Sequence, residues 1–163
     1  MIETFITSTL WFAAIGCALM AGIYFAFSTF VMASFARIET AAGIAAMQSI
    51  NDVILGSAFM PLFFGTSLAS VGLAAFAALN PPNLSMIATL SAGTLYFSGM
   101  FLCTILFNVP LNNKLKDADP YSATGAAVWD LYLHGWTRWN HIRTIASTVS
   151  SILFFIATQG ELV

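Results

Sequence analysis

Four stretches of this chain are each long and apolar enough to cross a bilayer, and that constrains its fold more than any short motif does. A span needs about 20 apolar residues to cover about 30 Å of hydrocarbon. Segments of that kind run over about 9–35, 53–78, 84–107 and 136–158. Arg37 closes the first, and "NPPN" (Asn80 to Asn83) closes the second, because proline cannot continue a helix. The stretch "NVPLNNKL" (108–115) closes the third. Between the first two, "IETAAGIAAMQSIND" (38–52) spaces its Ala, Ile and Met as a short helix lying at the surface. Residues 123–135 read as a helical lead-in to the last span. The expected fold is all-α: a single integral membrane domain over 1–163, built as an up-down bundle of four transmembrane helices with a short interfacial helix between spans one and two.

Composition agrees. Hydrophobic residues make up 59% and charged residues 7%, with a mean hydropathy of +0.86, against about 25% charged residues in soluble domains. Five basic and seven acidic residues cannot build a nucleic-acid surface. The expected partners are the lipid bilayer and a hydrophobic small molecule, with homo-oligomerisation left open. Cys17 and Cys103 lie in apolar runs without a CxxC or a Cys/His pairing and read as small buried hydrophobes. The first apolar run has no Lys or Arg before it, so it reads as a retained span rather than a cleaved signal. Arg37, Lys114, Lys116 and Arg138 fall on the two long connections, whereas Glu3 and Glu161 mark the chain ends. The positive-inside rule then puts both connections in the cytoplasm and both termini outside it, in a bacterial inner membrane.

The fourth span carries groups that lipid penalises. "LHGWTRWNHIR" (133–143) holds two Trp, two Arg, two His and an Asn. At 100° per residue, Trp129, Trp136, Trp139, Asn140 and Arg143 share an arc of about 100°, and Ser147 continues it. Asp130, His134, Arg138 and His141 occupy the opposite side. The Trp/Asn/Arg face is expected to turn inward, because a guanidinium inside a bundle must find acceptors. Candidate acceptors at the same membrane end are Asn108, Asn112, Asn113, Gln48, Asn51, Glu39 and Asp52, with Tyr24 and Ser28 of the first span at a similar depth. Competing readings are an aromatic belt for the Trp residues, snorkelling for the arginines and helix capping for the asparagines.

His134 and His141 are seven residues apart on one face, about 10 Å along the axis. That is too far to chelate one ion together, and no cofactor is expected, although a haem or metal bound through either one stays an alternative. Nucleophile elbows, phosphate-binding glycine loops and acids at the bilayer midplane do not occur in the sequence.

The blocks "GIYFAFSTFVMASF" (22–35), "AMQSIN" (46–51), "FNVPLNNKL" (107–115) and "WTRWNHIRT" (136–144) resemble the anthrone oxygenase-like membrane proteins, a family first described as a domain of unknown function. The resemblance implies four membrane helices and dioxygen-dependent oxidation of an anthrone carbon to a quinone carbonyl. It suggests a site built from Asn51, Asn108, Asn112, Trp136, Asn140 and Arg143, with His141 contributing. In the resulting hypothesis Arg143 and Asn140 stabilise an enolate oxygen, His141 accepts a proton, and Trp136, Trp139, Asn108, Asn112, Asn51 and Tyr24 bind the substrate. The alternatives are a non-catalytic bundle that holds a lipid, quinone or protein partner, and a haem- or metal-dependent membrane oxidase.

Overall fold

The computed structural model describes residues 1–160, so the Glu161 part of the orientation argument lies outside the described residues. Five helices account for nearly all of it: α1 (Ile2–Phe35), α2 (Thr40–Leu55), α3 (Phe59–Leu79), α4 (Leu84–Lys116) and α5 (Ala123–Ala157). The four long helices close a ring in which α1 touches α3 and α5, and α4 touches α3 and α5. Neighbours run antiparallel. Asn140 of α5 bonds Tyr24 of α1 and Ser151 bonds Ala14, while Ser150 bonds Ala92 of α4 and Asn108 bonds Trp136. Helix α2 lies across one end of this ring, against α3, α4 and α5.

Three of the helices, α1, α3 and α4, are long and apolar enough to cross a membrane. Their outward faces carry Phe12, Leu19, Phe64, Leu68 and Leu106, all exposed, which is the surface a membrane protein offers to lipid. The fourth expected span does not reach the same apolarity. Asn140, His141, Arg143 and a run of Ser and Thr dilute α5.

Several expected boundaries move. The first helix begins at Ile2 rather than near 9, and the second long one begins at Phe59 rather than 53. The break comes at Gly56–Ser57, where the Ser57 hydroxyl donates to the Ile54 carbonyl (2.8 Å) and accepts from the Phe59 amide (3.2 Å). Residues 53–55 therefore finish α2, whose 16 residues match the expected length but lie two to three positions further along the chain than 38–52. Helix α4 does not stop at Phe107 but runs through Pro110 to Lys116. Proline lacks an amide hydrogen and its ring crowds the carbonyl four residues back. The helix absorbs this by widening into π turns at Phe97–Leu102 and Thr104–Asn108, just ahead of the proline. A third π turn, Phe27–Val31, interrupts α1.

Small residues set the closeness of the ring. A methyl group on Gly93 would run into the Ser70 backbone carbonyl of α3, whereas one on Gly72 would meet nothing within 4 Å. Gly93→Ala should cost about 1–3 kcal/mol through overpacking, and Gly72→Ala should cost nothing. Thermal unfolding in detergent compares the two, and equal shifts would contradict the packing described.

Candidate functional site

Arg143 is the one charged side chain among the described residues that is buried, at 4% exposure. The 3.6-residue period of α5 carries it there together with Trp129, Tyr132, Trp136, Asn140 and Ser147, all buried on the same face. Its guanidinium carbon lies 4.3 Å from the Tyr24 ring centroid and 4.9 Å from that of Trp136. Nη2 donates to Asn140 Oδ1 at 2.7 Å, and Nη1 reaches Thr104 Oγ1 at 3.4 Å. Asn140 is held in turn: its Nδ2 donates to the Tyr24 carbonyl and to Ser28 Oγ, both at 2.7 Å. Thr104 sits at the start of an α4 π turn, and Tyr24 lies three residues before the π turn of α1. Widened turns on both flanks thus place the groups that meet the arginine, a use of π turns common at functional sites.

Among the described residues no carboxylate takes part. Glu39 and Asp52, expected as acceptors, are exposed, and Gln48 spends its amide nitrogen on the α4 C-terminus, donating to the Leu115 and Ala118 carbonyls (2.8 and 2.9 Å). Asn113 is exposed. Burying an ion costs several kcal/mol. Each ring contact returns about 2 kcal/mol when desolvated and the short hydrogen bond about 1.5–3 kcal/mol. The guanidinium is therefore solvated well enough to stay buried, yet carries a full positive charge with no anion beside it.

That charge borders a cavity of about 160 Å³. Its polar lining is Tyr24, Asn51, Thr104, Asn112, Trp136 and Arg143, and the rest is apolar, with Phe59, Phe63 and Phe64 of α3 forming an aromatic wall. Three buried donors of this lining make no hydrogen bond: Arg143 Nε, Trp136 Nε1 and Asn51 Nδ2. The Asn51 amide lies beside the Tyr132 hydroxyl, whose hydrogen goes to Asn112 Oδ1 at 2.9 Å. A second, more polar hollow of about 340 Å³ shares Asn51 and Asn112 with the first and adds Gln48, Asp52, Asn113 and Lys116.

The structure thus brings Tyr24, Asn51, Asn112, Trp136 and Arg143 to one cavity, with Asn140 behind the arginine. Other expected members lie elsewhere. Trp139 stacks on Phe107 (3.7 Å between centroids), and Arg138 lies over its ring at 5.8 Å, outside the cavity. Asn108 is buried, but it donates to the Trp136 carbonyl at 3.2 Å and lines neither the cavity nor the polar hollow beside it. His141 is exposed, since it falls on the opposite face of α5 from Arg143. His134 is exposed too and contacts Asp130 one turn away. Among the described residues no three His, Cys, Asp or Glu side chains gather where a metal ion could be held. Thr104 and the phenylalanine wall were not anticipated: threonine and phenylalanine in an apolar run give no signal of their own. Tyr132 did give one, being spaced three and four residues from Trp129 and Trp136.

The family model for anthrone oxygenase matches residues 51–153, which include Asn51, Thr104, Asn112, Trp136, Asn140 and Arg143 but stop short of α1 with Tyr24 and Ser28. No curated protein and no solved structure matches the chain significantly.

Asn140→Leu removes the acceptor from Arg143 and should destabilise the protein by about 3 kcal/mol. Thr104→Val, which deletes only the long contact, should cost less than about 1 kcal/mol. Unfolding midpoints of the two variants give the order, and a reversed order would make Thr104 the main partner.

Proposed function

The chain belongs to the anthrone oxygenase family, and from that premise we propose that it oxidises a hydrophobic aromatic substrate with dioxygen, holding the substrate's developing oxyanion on Arg143. One observation supports this reading: a buried guanidinium with no carboxylate beside it among the described residues lines a cavity whose walls are otherwise mostly apolar. An apolar cavity with a positive charge in its wall suits an aromatic ligand that carries an acceptor oxygen, and best of all an anion.

The chemistry follows from an anthrone-like carbon acid. Loss of one methylene proton leaves an anion whose charge rests largely on oxygen, and that oxyanion is electron-rich enough to reduce dioxygen. One oxygen atom forms the new bond at the former methylene carbon and becomes its carbonyl. The other leaves as water with the two methylene hydrogens, so atoms and electrons balance. Arg143 lowers the energy of the oxyanion, and Asn140 orients Arg143. His141 takes no part in this scheme, because it faces away from the cavity.

The proposal extends to placement. Helix α5 packs along α1 and α4 for its whole length and would complete the bilayer-crossing bundle as a fourth span, its polar groups turned to the ring interior. Arg37, Lys114 and Lys116 belong to the connections and helix ends at the cavity's end of the bundle, and the positive-inside rule favours the cytoplasmic side for that end.

Oxygen uptake by the purified protein in lipid vesicles, with anthrone supplied, tests the reading. Arg143→Met should lower substrate-dependent uptake about 100-fold, and Arg143→Lys should stay close to the Met variant, because an ammonium cannot reproduce the planar fork. Equal uptake in wild type and Arg143→Met would remove the arginine from the chemistry. Full activity with Lys would favour a site that needs charge alone, as a bundle holding an anionic headgroup does.

A further inference from the structure

Oxidation of a methylene carbon by dioxygen moves one proton twice. It leaves the carbon when the oxyanion forms, and it returns to the peroxide that dioxygen addition leaves, so that the O–O bond can break with loss of water. A group within reach through water has to hold it in between. The polar hollow next to the cavity suits that task. The two spaces share Asn51, Ile54, Leu55, Val109 and Asn112, so they meet along a common wall. On α2, Gln48 lies three and four residues before Asn51 and Asp52, which puts all three on one side. On α4, Asn112, Asn113 and Lys116 are spaced in the same way. Gln48 ties these walls together through the Leu115 and Ala118 carbonyls (2.8 and 2.9 Å), and the Tyr132 hydroxyl fixes the Asn112 amide at the junction (2.9 Å). Asn51 and Asn112 are half-buried, whereas Asp52, Asn113 and Lys116 are exposed, so the hollow grades from cavity wall to solvent. With about 340 Å³ and amides on both sides it has room and partners for several waters, each occupying about 30 Å³. Asp52 is the carboxylate of this lining, and Lys116 is its cation.

Resting on the reading that Arg143 meets the substrate's oxyanion, we propose that Asp52 holds the substrate's proton, taking it through water in the hollow and giving it back the same way. The methylene C–H bond breaks, its electron pair stays with the aromatic system, and the proton passes by Asn51 and Asn112 to the Asp52 carboxylate. Dioxygen then takes two electrons from the carbanion as the C–O bond forms, and becomes a bound peroxide anion. Asp52 returns its proton to the outer peroxide oxygen. The second methylene C–H bond gives its electron pair to the new carbonyl, the O–O bond breaks, and the departing hydroxide with that second proton makes water. No proton is gained or lost over the cycle.

Hydrogen exchange without oxygen isolates the first proton transfer. Full-length protein in phosphatidylcholine vesicles is incubated with anthrone in heavy water, with air excluded, and mass spectrometry reads deuterium entering the methylene group against protein-free vesicles. Asp52→Asn should slow the protein-dependent exchange about 100-fold, and Asp52→Glu should restore most of it. Glu39→Gln, which changes an exposed carboxylate at the start of α2, should leave it as in the wild type. Thermal unfolding checks that each variant is folded. Exchange by Asp52→Asn at the wild-type rate would overturn the proposal, as would an equal loss in Asp52→Asn and Asp52→Glu. Arg143→Met distinguishes the two readings. If it slows exchange while Asp52→Asn does not, only the present proposal falls. If it leaves exchange untouched while Asp52→Asn slows it and Asp52→Glu restores it, the oxyanion reading fails and Asp52 still holds the proton.

Discussion

A guanidinium buried without a carboxylate is the constraint around which this bundle is arranged. Arg143 cannot shed its proton inside a protein, so every element near it has to replace water as its solvent. Two aromatic rings, one short amide bond and one long hydroxyl contact do that. They come from α1, α4 and α5 together, so the same contacts that solvate the charge also tie three helices at one level. The positive potential that remains is directed at the adjoining cavity, and oxyanion stabilisation needs a fixed donor array of this kind in a dry setting.

The helices are irregular where this site needs them to be. Each π turn lies beside a group that touches the arginine or its asparagine: Tyr24 and Ser28 in α1, Thr104 in α4. Away from the site, packing relies on close approach, as where Gly93 meets Ser70, and on serine hydroxyls bonded to neighbouring backbones, as Ser150 is to Ala92. Helix α2 closes the end of the cavity with Met47, Ile50, Asn51 and Ile54. The cavity therefore has an apolar side along α3 and α4 and adjoins a polar hollow through Asn51 and Asn112, with Arg143 in its wall.

Much of this was legible in the sequence, and what was not has identifiable reasons. Runs of apolar residues give the long helices, because length and hydropathy are additive along a chain. The helical period gives the inward face of α5, since a 100° step places Trp136, Asn140 and Arg143 together whatever surrounds them. Partners of the arginine are another matter. Thr104 is indistinguishable from any threonine in an apolar run, and Glu39 and Asp52 look plausible until α2 turns them outward. The end of α4 was misjudged because proline ordinarily stops a helix, and only the widened turn before Pro110 lets this one continue. His141 shares a sequence block with Arg143 but not its direction, so proximity along the chain misled there, whereas Trp139 lies at the edge of the inward arc and packs on Phe107 instead of lining the cavity. Placing α2 as a cavity wall required tertiary contacts that no local pattern encodes.

The central claim is that position 143 stabilises negative charge on an aromatic oxygen inside the cavity. Titrating bound 4-nitrophenol measures this directly, because its phenolate is yellow and its phenol is not. An apolar cavity alone would raise the pH at which the probe ionises, and a buried cation beside its oxygen would lower it. With the protein in lipid nanodiscs, the bound probe should turn yellow about one pH unit or more below the free probe, and Arg143→Met should reverse that shift. Ionisation of the bound probe at or above the pH of the free one in the wild-type protein would contradict the account.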